Sequence, residues 1–114
     1  MRDPRLYLDD MLEAANRVEK YVDGMTFGEL RKDGLTVDAA VRNLEIIGEA
    51  AKNIPKHVKE KYRDVEWRKI SGLRDVLAHE YFGVDLKVLW DVIKHKLPLL
   101  KRQVTKILRE TKGT

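Results

Sequence analysis

Arg74, Asp75, His79 and Tyr81 bring the groups that phosphodiester chemistry uses into one short run, Ser71-Gly72-Leu73-Arg74-Asp75-Val76-Leu77-Ala78-His79-Glu80-Tyr81-Phe82. A guanidinium stays charged and presents a fixed fork of donors to phosphate oxygens. An imidazole titrates near neutrality, so His79 can take the proton of a ribose 2′-hydroxyl or give one to a leaving oxygen. Asp75 can orient that ring, fix its tautomer and raise its basicity. Tyr81 offers a hydroxyl that can bond a phosphate or be modified. At about 100° per residue on a helix, Tyr81 falls within about 20° of Arg74. Asp75 and His79, four apart, start a second stripe about 100° round, with the small Ala78 between the two. Leu73, Val76 and Leu77 take the opposite arc and can face a core, while Glu80 marks where the helix is ending. A plainer reading is a salt-bridge network in a bundle, with a histidine favoured near a helix C-terminus by the dipole. On spacing alone, that plainer reading is preferred.

The elements that must position these groups all read as helices, because period-2 alternation never persists alongside β-branched enrichment. Leu8, Leu12, Ala15, Val18 and Val22 share a stripe of a first helix, opened by Pro4 and stopped by Asp23-Gly24. Thr26-Phe27-Gly28-Glu29 is a capping box for a short helix that Gly34 is expected to end. Thr36 is expected to cap the next helix, with Val37, Val41, Leu44, Ile47 and Ala51 on its buried face. That helix must end before Pro55. A helical turn over 55–62 leads into the helical segment 64–82, which Gly83 breaks. Asp85 caps a helix toward His95, and Pro98 stands where a last helix starts or kinks, with Leu100, Val104, Ile107 and Leu108 inward. The tail from Arg109 to Thr114 is expected to fray. The expected architecture is an all-α, antiparallel, up-and-down bundle of four to five helices, in a single domain over 1–114.

The chain has 114 residues, enough for one domain with a real core, and it is 43% hydrophobic and 37% charged, too apolar for a disordered chain. It has no cysteine, which excludes disulfides and thiolate metal sites. No apolar run approaches the roughly 20 residues of a membrane span, and the N-terminus lacks the apolar core of a secretion signal. A cytoplasmic location is therefore expected. The net charge of +4 is compatible with a polyanionic partner without demanding one.

Arg74-Asp75-Val76-Leu77-Ala78-His79-Glu80-Tyr81 resembles the Arg-x4-His-x-Tyr signature of the HEPN superfamily, including a polar residue directly after the arginine. Upstream, Asn43-Leu44-Glu45-Ile46-Ile47-Gly48-Glu49-Ala50 is similar to the Ile-Gly-Glu-Ala helix of HepT-like chains. Order, spacing and overall length agree with a HepT toxin of the kind paired with a minimal nucleotidyltransferase antitoxin. The resemblance implies a two-fold homodimer with Arg74 and His79 of both subunits facing one cleft. It implies RNA cleavage without a metal or other cofactor, the 2′-hydroxyl acting as nucleophile. It also implies that the antitoxin silences the toxin by attaching AMP to Tyr81. An isologous interface would supply two histidines, one for each proton transfer. AMP on Tyr81, sharing a stripe with Arg74, would compete with RNA phosphate for that arginine. The alternative is a non-catalytic HEPN module that binds nucleotide or a partner.

Other residues receive plainer readings. His57 and His95 sit in basic, solvated runs, and the three histidines lack metal-ligand spacing, so no zinc site is expected. Trp67 and Trp90 read as core or interface anchors rather than base-stacking platforms. Gly48 inside a helix points to a close helix–helix crossing. Glu45 and Glu49 could line the cleft or face solvent, and solvent is the preferred reading. Lys94, Lys96, Lys101 and Arg102 could help hold RNA but read first as a solvated face. No glycine-rich phosphate loop is present.

Overall fold

The computed structural model describes residues 2–77 and 84–111, with the side chain of Val76 excepted. Helix α1 (Pro4–Tyr21) starts at Asp3, whose carboxylate accepts from Arg5 N, with proline in the first turn, where its missing N–H costs nothing. Leu8, Met11, Ala14, Ala15 and Val18 form its buried face. Leu12, expected inside, is only partly buried, and the stripe runs through Met11 instead. The helix is left through Gly24 at φ 76°, a left-handed turn that favours glycine.

The Thr26 capping box holds in both directions at the head of α2 (Phe27–Arg31). The junction to α3 (Gly34–Lys52) differs from expectation. Asp33 is the N-cap, and Gly34 opens this helix rather than closing the previous one. Asp33 accepts from Thr36 N at 3.0 Å and from Thr36 Oγ1 at 2.7 Å, so Thr36 is the recipient of the cap and not its source. Both residues are N-cap types, and sequence cannot say which carboxylate or hydroxyl points inward along the helix. Hydrogen bonds from the Thr36 side chain, then from its backbone, hold the Asp33 carboxyl below its ordinary value of 3.8. A depressed carboxyl stabilises the fold above its unfolded pKa, and that contribution is lost as pH falls through the lowered folded value. Asp33→Ala is therefore expected to lower the melting temperature at pH 7. The gap from wild type should close as pH falls from the ordinary carboxyl value of 3.8 through the lowered one, a comparison made by paired thermal melts. A gap independent of pH would assign the effect to something other than the charged cap.

Beyond α3 come α4 (Lys56–Lys61), α5 (Trp67–Ser71), α6 (Leu73–Leu77) and α7 (Leu86–Asp91). The single helix expected over 64–82 is broken at Gly72, whose N–H returns to Arg68 O at 3.1 Å to close α5. Helix α7 opens on Asp85, as expected. It continues without interruption through a π-helical turn (Val92–Lys96) into α8 (Leu97–Glu110). The wide turn has a plain cause. Pro98 donates no hydrogen bond and its ring would strike the carbonyl four residues back, and a wider turn, in which Leu97 N reaches Val92 O, relieves the crowding.

The long helices are antiparallel neighbours. Arg5 near the start of α1 donates to Leu108 O at 2.9 Å and Thr111 O at 2.7 Å, while Glu19 near its end meets Lys101. Arg17, late in α1, approaches Asn43 Oδ1, midway along α3, at 3.5 Å, while Tyr7 near the start of α1 shares a hollow with Ala50 and Asn53 at the end of α3. The end of α8 is also tied by Tyr62 Oη donating to Glu110 Oε1 at 2.9 Å, so the chain holds its helix through Glu110 where fraying was expected from Arg109. Leu8, Leu30, Leu44, Ile47, Leu89, Leu97 and Ile107 form the centre of one continuous core. The architecture is the expected all-α antiparallel one, with more short helical segments than the four or five counted from periodicity.

Candidate active site

Helix α3 passes unusually close to the α5–α6 corner, and Gly48 is the reason it can. A Cβ at position 48 would stand 3.1 Å from Ile70 O and 3.5 Å from Ser71 O, both backbone atoms that cannot swing aside. The expected close helix crossing is thus present. Across it, Leu73 and Leu77 turn inward, which leaves Arg74 and Asp75 on the outer side of α6.

The two elements enclose a charged groove of about 620 Å³, lined by Arg42, Glu45, Gly48, Glu49 and Lys52 of α3 and by Ser71, Gly72, Arg74 and Asp75. Arg74 stands at its edge with 84% of its side chain exposed, and Glu45 Oε2 lies 3.8 Å from its Nε. Glu49 pairs instead with Lys52 at 3.2 Å. Both glutamates line the groove, and the preference for solvent holds for the exposed Glu49 but is corrected for the half-buried Glu45. No local signal announces the Glu45 contact, because Glu45 and Arg74 are 29 positions apart and only the Gly48 crossing joins them. Arg42 and Lys52, which add positive charge to the same groove, were likewise not singled out. Chemically, the groove offers guanidinium and ammonium groups to an anion, with carboxylates beside them to orient donors or accept protons.

His79 and Tyr81 lie outside the described residues, as do Ala78, Glu80, Phe82 and Gly83. The helical-wheel relation expected between Arg74 and Tyr81, and between Asp75 and His79, therefore extends beyond them. The backbone on either side is anchored: Asp85 N donates to Leu77 O at 2.9 Å, joining the end of α6 to the cap of α7.

The residues given plainer readings fall as follows. His57 and His95 are exposed. Trp67 is buried, its indole N–H donating to Tyr62 O at 3.0 Å. Trp90 is half-buried against Phe27, with ring centres 5.9 Å apart. Lys94 and Lys96 are exposed, and Lys101 and Arg102 line a shallow hollow along α8 with Lys106 and Arg109, apart from the residues of the charged groove. No helix among the described residues is long and apolar enough to cross a membrane.

The groove balances three cations, Arg42, Lys52 and Arg74, against three carboxylates, Glu45, Glu49 and Asp75, and comparison with known proteins gives the chain that carries it a family. The family model described as Ribonuclease HepT-like matches residues 11–107, and the chain belongs to that family. It is 44% identical over 112 residues to "Putative RNase TTE0752" of Caldanaerobacter subterraneus subsp. tengcongensis, covering 98% of this chain and 100% of the relative. It is 41% identical over 106 residues to "Probable ribonuclease HepT" of Thermococcus cleftensis, covering 93% of this chain and 96% of the relative. A third relative, "Gamma-glutamylcyclotransferase and putative RNase MJ0434" of Methanocaldococcus jannaschii, is 38% identical over 109 residues; these are 96% of this chain but 49% of that longer protein. No solved structure matches the chain significantly.

Proposed function

We propose that this chain is the toxin of a toxin–antitoxin pair, a metal-independent endoribonuclease acting as a two-fold homodimer of one HEPN domain over 1–114, in the cytoplasm. The observation that carries the reading is Arg74, the first residue of the Arg-x4-His-x-Tyr signature, standing exposed at the edge of the charged groove in a HepT-like chain. In the proposed reaction Arg74 binds a scissile phosphate. His79 of one subunit removes the ribose 2′ proton, and the 2′ oxygen attacks phosphorus as the bond to the 5′ oxygen breaks. The partner's His79 protonates that leaving oxygen, giving a 2′,3′-cyclic phosphate and a 5′-hydroxyl end. Asp75 orients the imidazole and sets its basicity. Tyr81 is the site at which a nucleotidyltransferase antitoxin attaches AMP, whose phosphate and bulk then compete with RNA at Arg74.

The reading is tested by incubating the purified chain, shown by intact mass to carry no AMP, with total RNA in excess EDTA. Cyclic-phosphate ends produced by wild type and not by His79→Ala are expected. No cutting by an unmodified dimer would overturn the ribonuclease and leave the non-catalytic binding module. Cutting that EDTA abolishes would overturn metal independence alone. Tyr81→Phe is expected to cut RNA within about threefold of wild type and to gain no AMP mass when incubated with the antitoxin and ATP. AMP mass on that variant would place the modification elsewhere.

A further inference from the structure

We propose that Glu45 is a positioning residue for Arg74, holding the guanidinium by its Nε edge so that the two terminal nitrogens face outward to a phosphate. The inference rests on the ribonuclease reading for its consequence, though not for its geometry.

Three observations from different elements converge on Glu45. Its Oε2 is 3.8 Å from Arg74 Nε, the one guanidinium nitrogen that lies away from the terminal fork. Glu45 is half-buried against its neighbours, with only 32% of its side chain exposed, against 71% for Glu49, which turns to Lys52 instead. Gly48, less than one turn further along α3, fixes the distance between the helices by its approach to Ile70 O and Ser71 O. The two residues of the upstream motif then have complementary tasks, glycine bringing the backbones together and glutamate reaching across the contact.

The chemistry follows from the shape of the guanidinium. A carboxylate bound to the terminal nitrogens would occupy the fork that grips phosphate. One at Nε leaves that fork free and limits rotation of an otherwise mobile, exposed chain. At 3.8 Å and with Arg74 largely in water, the pair is too weak to compete strongly with an incoming phosphate dianion or diester. It orients without sequestering.

Glu45→Gln is expected to lower kcat for RNA cleavage about three- to fivefold, the most that a long, exposed ion pair supplies, with KM changed less than about twofold. Glu45→Asp, one methylene shorter, should recover part of the loss. In the Arg74→Lys background, where there is neither an Nε–H for the carboxylate nor a fork for it to aim, Glu45→Gln should cost nothing further. Glu66→Gln, which breaks the exposed pair to Lys69 elsewhere, should leave the rate unchanged. The melting temperature of Glu45→Gln should stay within about 2 °C of wild type. Wild-type kinetics in Glu45→Gln, or a loss fully additive with Arg74→Lys, would overturn the proposal while leaving the ribonuclease standing. The arginine Nε–H region of a nitrogen-15 spectrum decides the geometry even for a chain that cuts nothing. The Arg74 signal, assigned through Arg74→Lys, should move in Glu45→Gln, and an unmoved signal would overturn the positioning role.

Discussion

Arg74→Ala is expected to slow RNA cleavage by about a thousandfold or more and to move the melting temperature by less than about 2 °C. The two halves of that result have separate causes. Preorganised donors aimed at developing charge are among the largest single contributions to catalysis, and removing one costs about a hundred- to a thousandfold in rate. Arg74 would supply both the positive charge and the fork, so the loss should stand at the upper end of that scale or beyond it. Stability, by contrast, has little to lose. The side chain is 84% exposed and its described ion pair is a long surface contact, of the kind that contributes at most about 1 kcal/mol. Single-turnover cleavage and a thermal melt on the same preparation would check both. Normal cleavage by a folded Arg74→Ala would remove Arg74 from the mechanism. A collapse in stability would mean that the motif is a structural network and not a site.

Gly48→Val should do the reverse, damaging the fold first. The added Cβ meets Ile70 O at 3.1 Å, and the two methyl groups beyond it have still less room. Overpacking of this kind costs about 1–3 kcal/mol, and valine's restricted χ1 in a helix offers no offset. A fall in melting temperature of roughly 5–10 °C is expected for a domain of this size. Gly48→Ala is a useful contrast, since relief of the glycine penalty of about 1 kcal/mol works against the crowding. Because α5 and α6 must move outward to admit valine, the groove would widen and Arg74 would leave Glu45. Cleavage measured well below the melting temperature should therefore also fall. A Gly48→Val chain as stable as wild type would contradict the close approach of α3 to the α5–α6 corner.

The helical pattern was readable because each signal was local. The Thr26 box, the Asp85 cap and the apolar faces of α1, α3 and α8 all involve residues within a turn or two of each other. They appear in the structure with Leu12, Val37, Val41 and Leu108 only partly buried at their margins. The errors arose where two local signals competed. Asp33 and Thr36 could each cap, and Gly72 lay inside a run whose apolar spacing carried on regardless of the break. The site divides in the same way. Arg74 and Asp75 face outward, opposite Leu73 and Leu77, as their spacing implied. Glu45 could not be paired with Arg74 from sequence, since that contact depends on where one helix crosses another. Periodicity reports which side of a helix is wet and is silent about what stands across the water.

The wide turn before Pro98 also settles a question of phase. Leu89, Ile93 and Leu97 recur at intervals of four, a spacing that drifts about 40° per step around an ordinary α-helix. Two such steps would carry the third side chain well off the core, yet all three are buried. The π-helical turn absorbs the lag, after which Leu100, Val104 and Ile107 resume the usual three-and-four rhythm. Deleting one residue between Val92 and Lys96 would leave a regular helix in which Leu89 and Leu97 stand about seven apart, within about 20° of two full turns, so the last helix would keep its apolar face on the core. Straightening the turn with every residue kept is what would swing the last helix by about 80° and carry its leucines toward water.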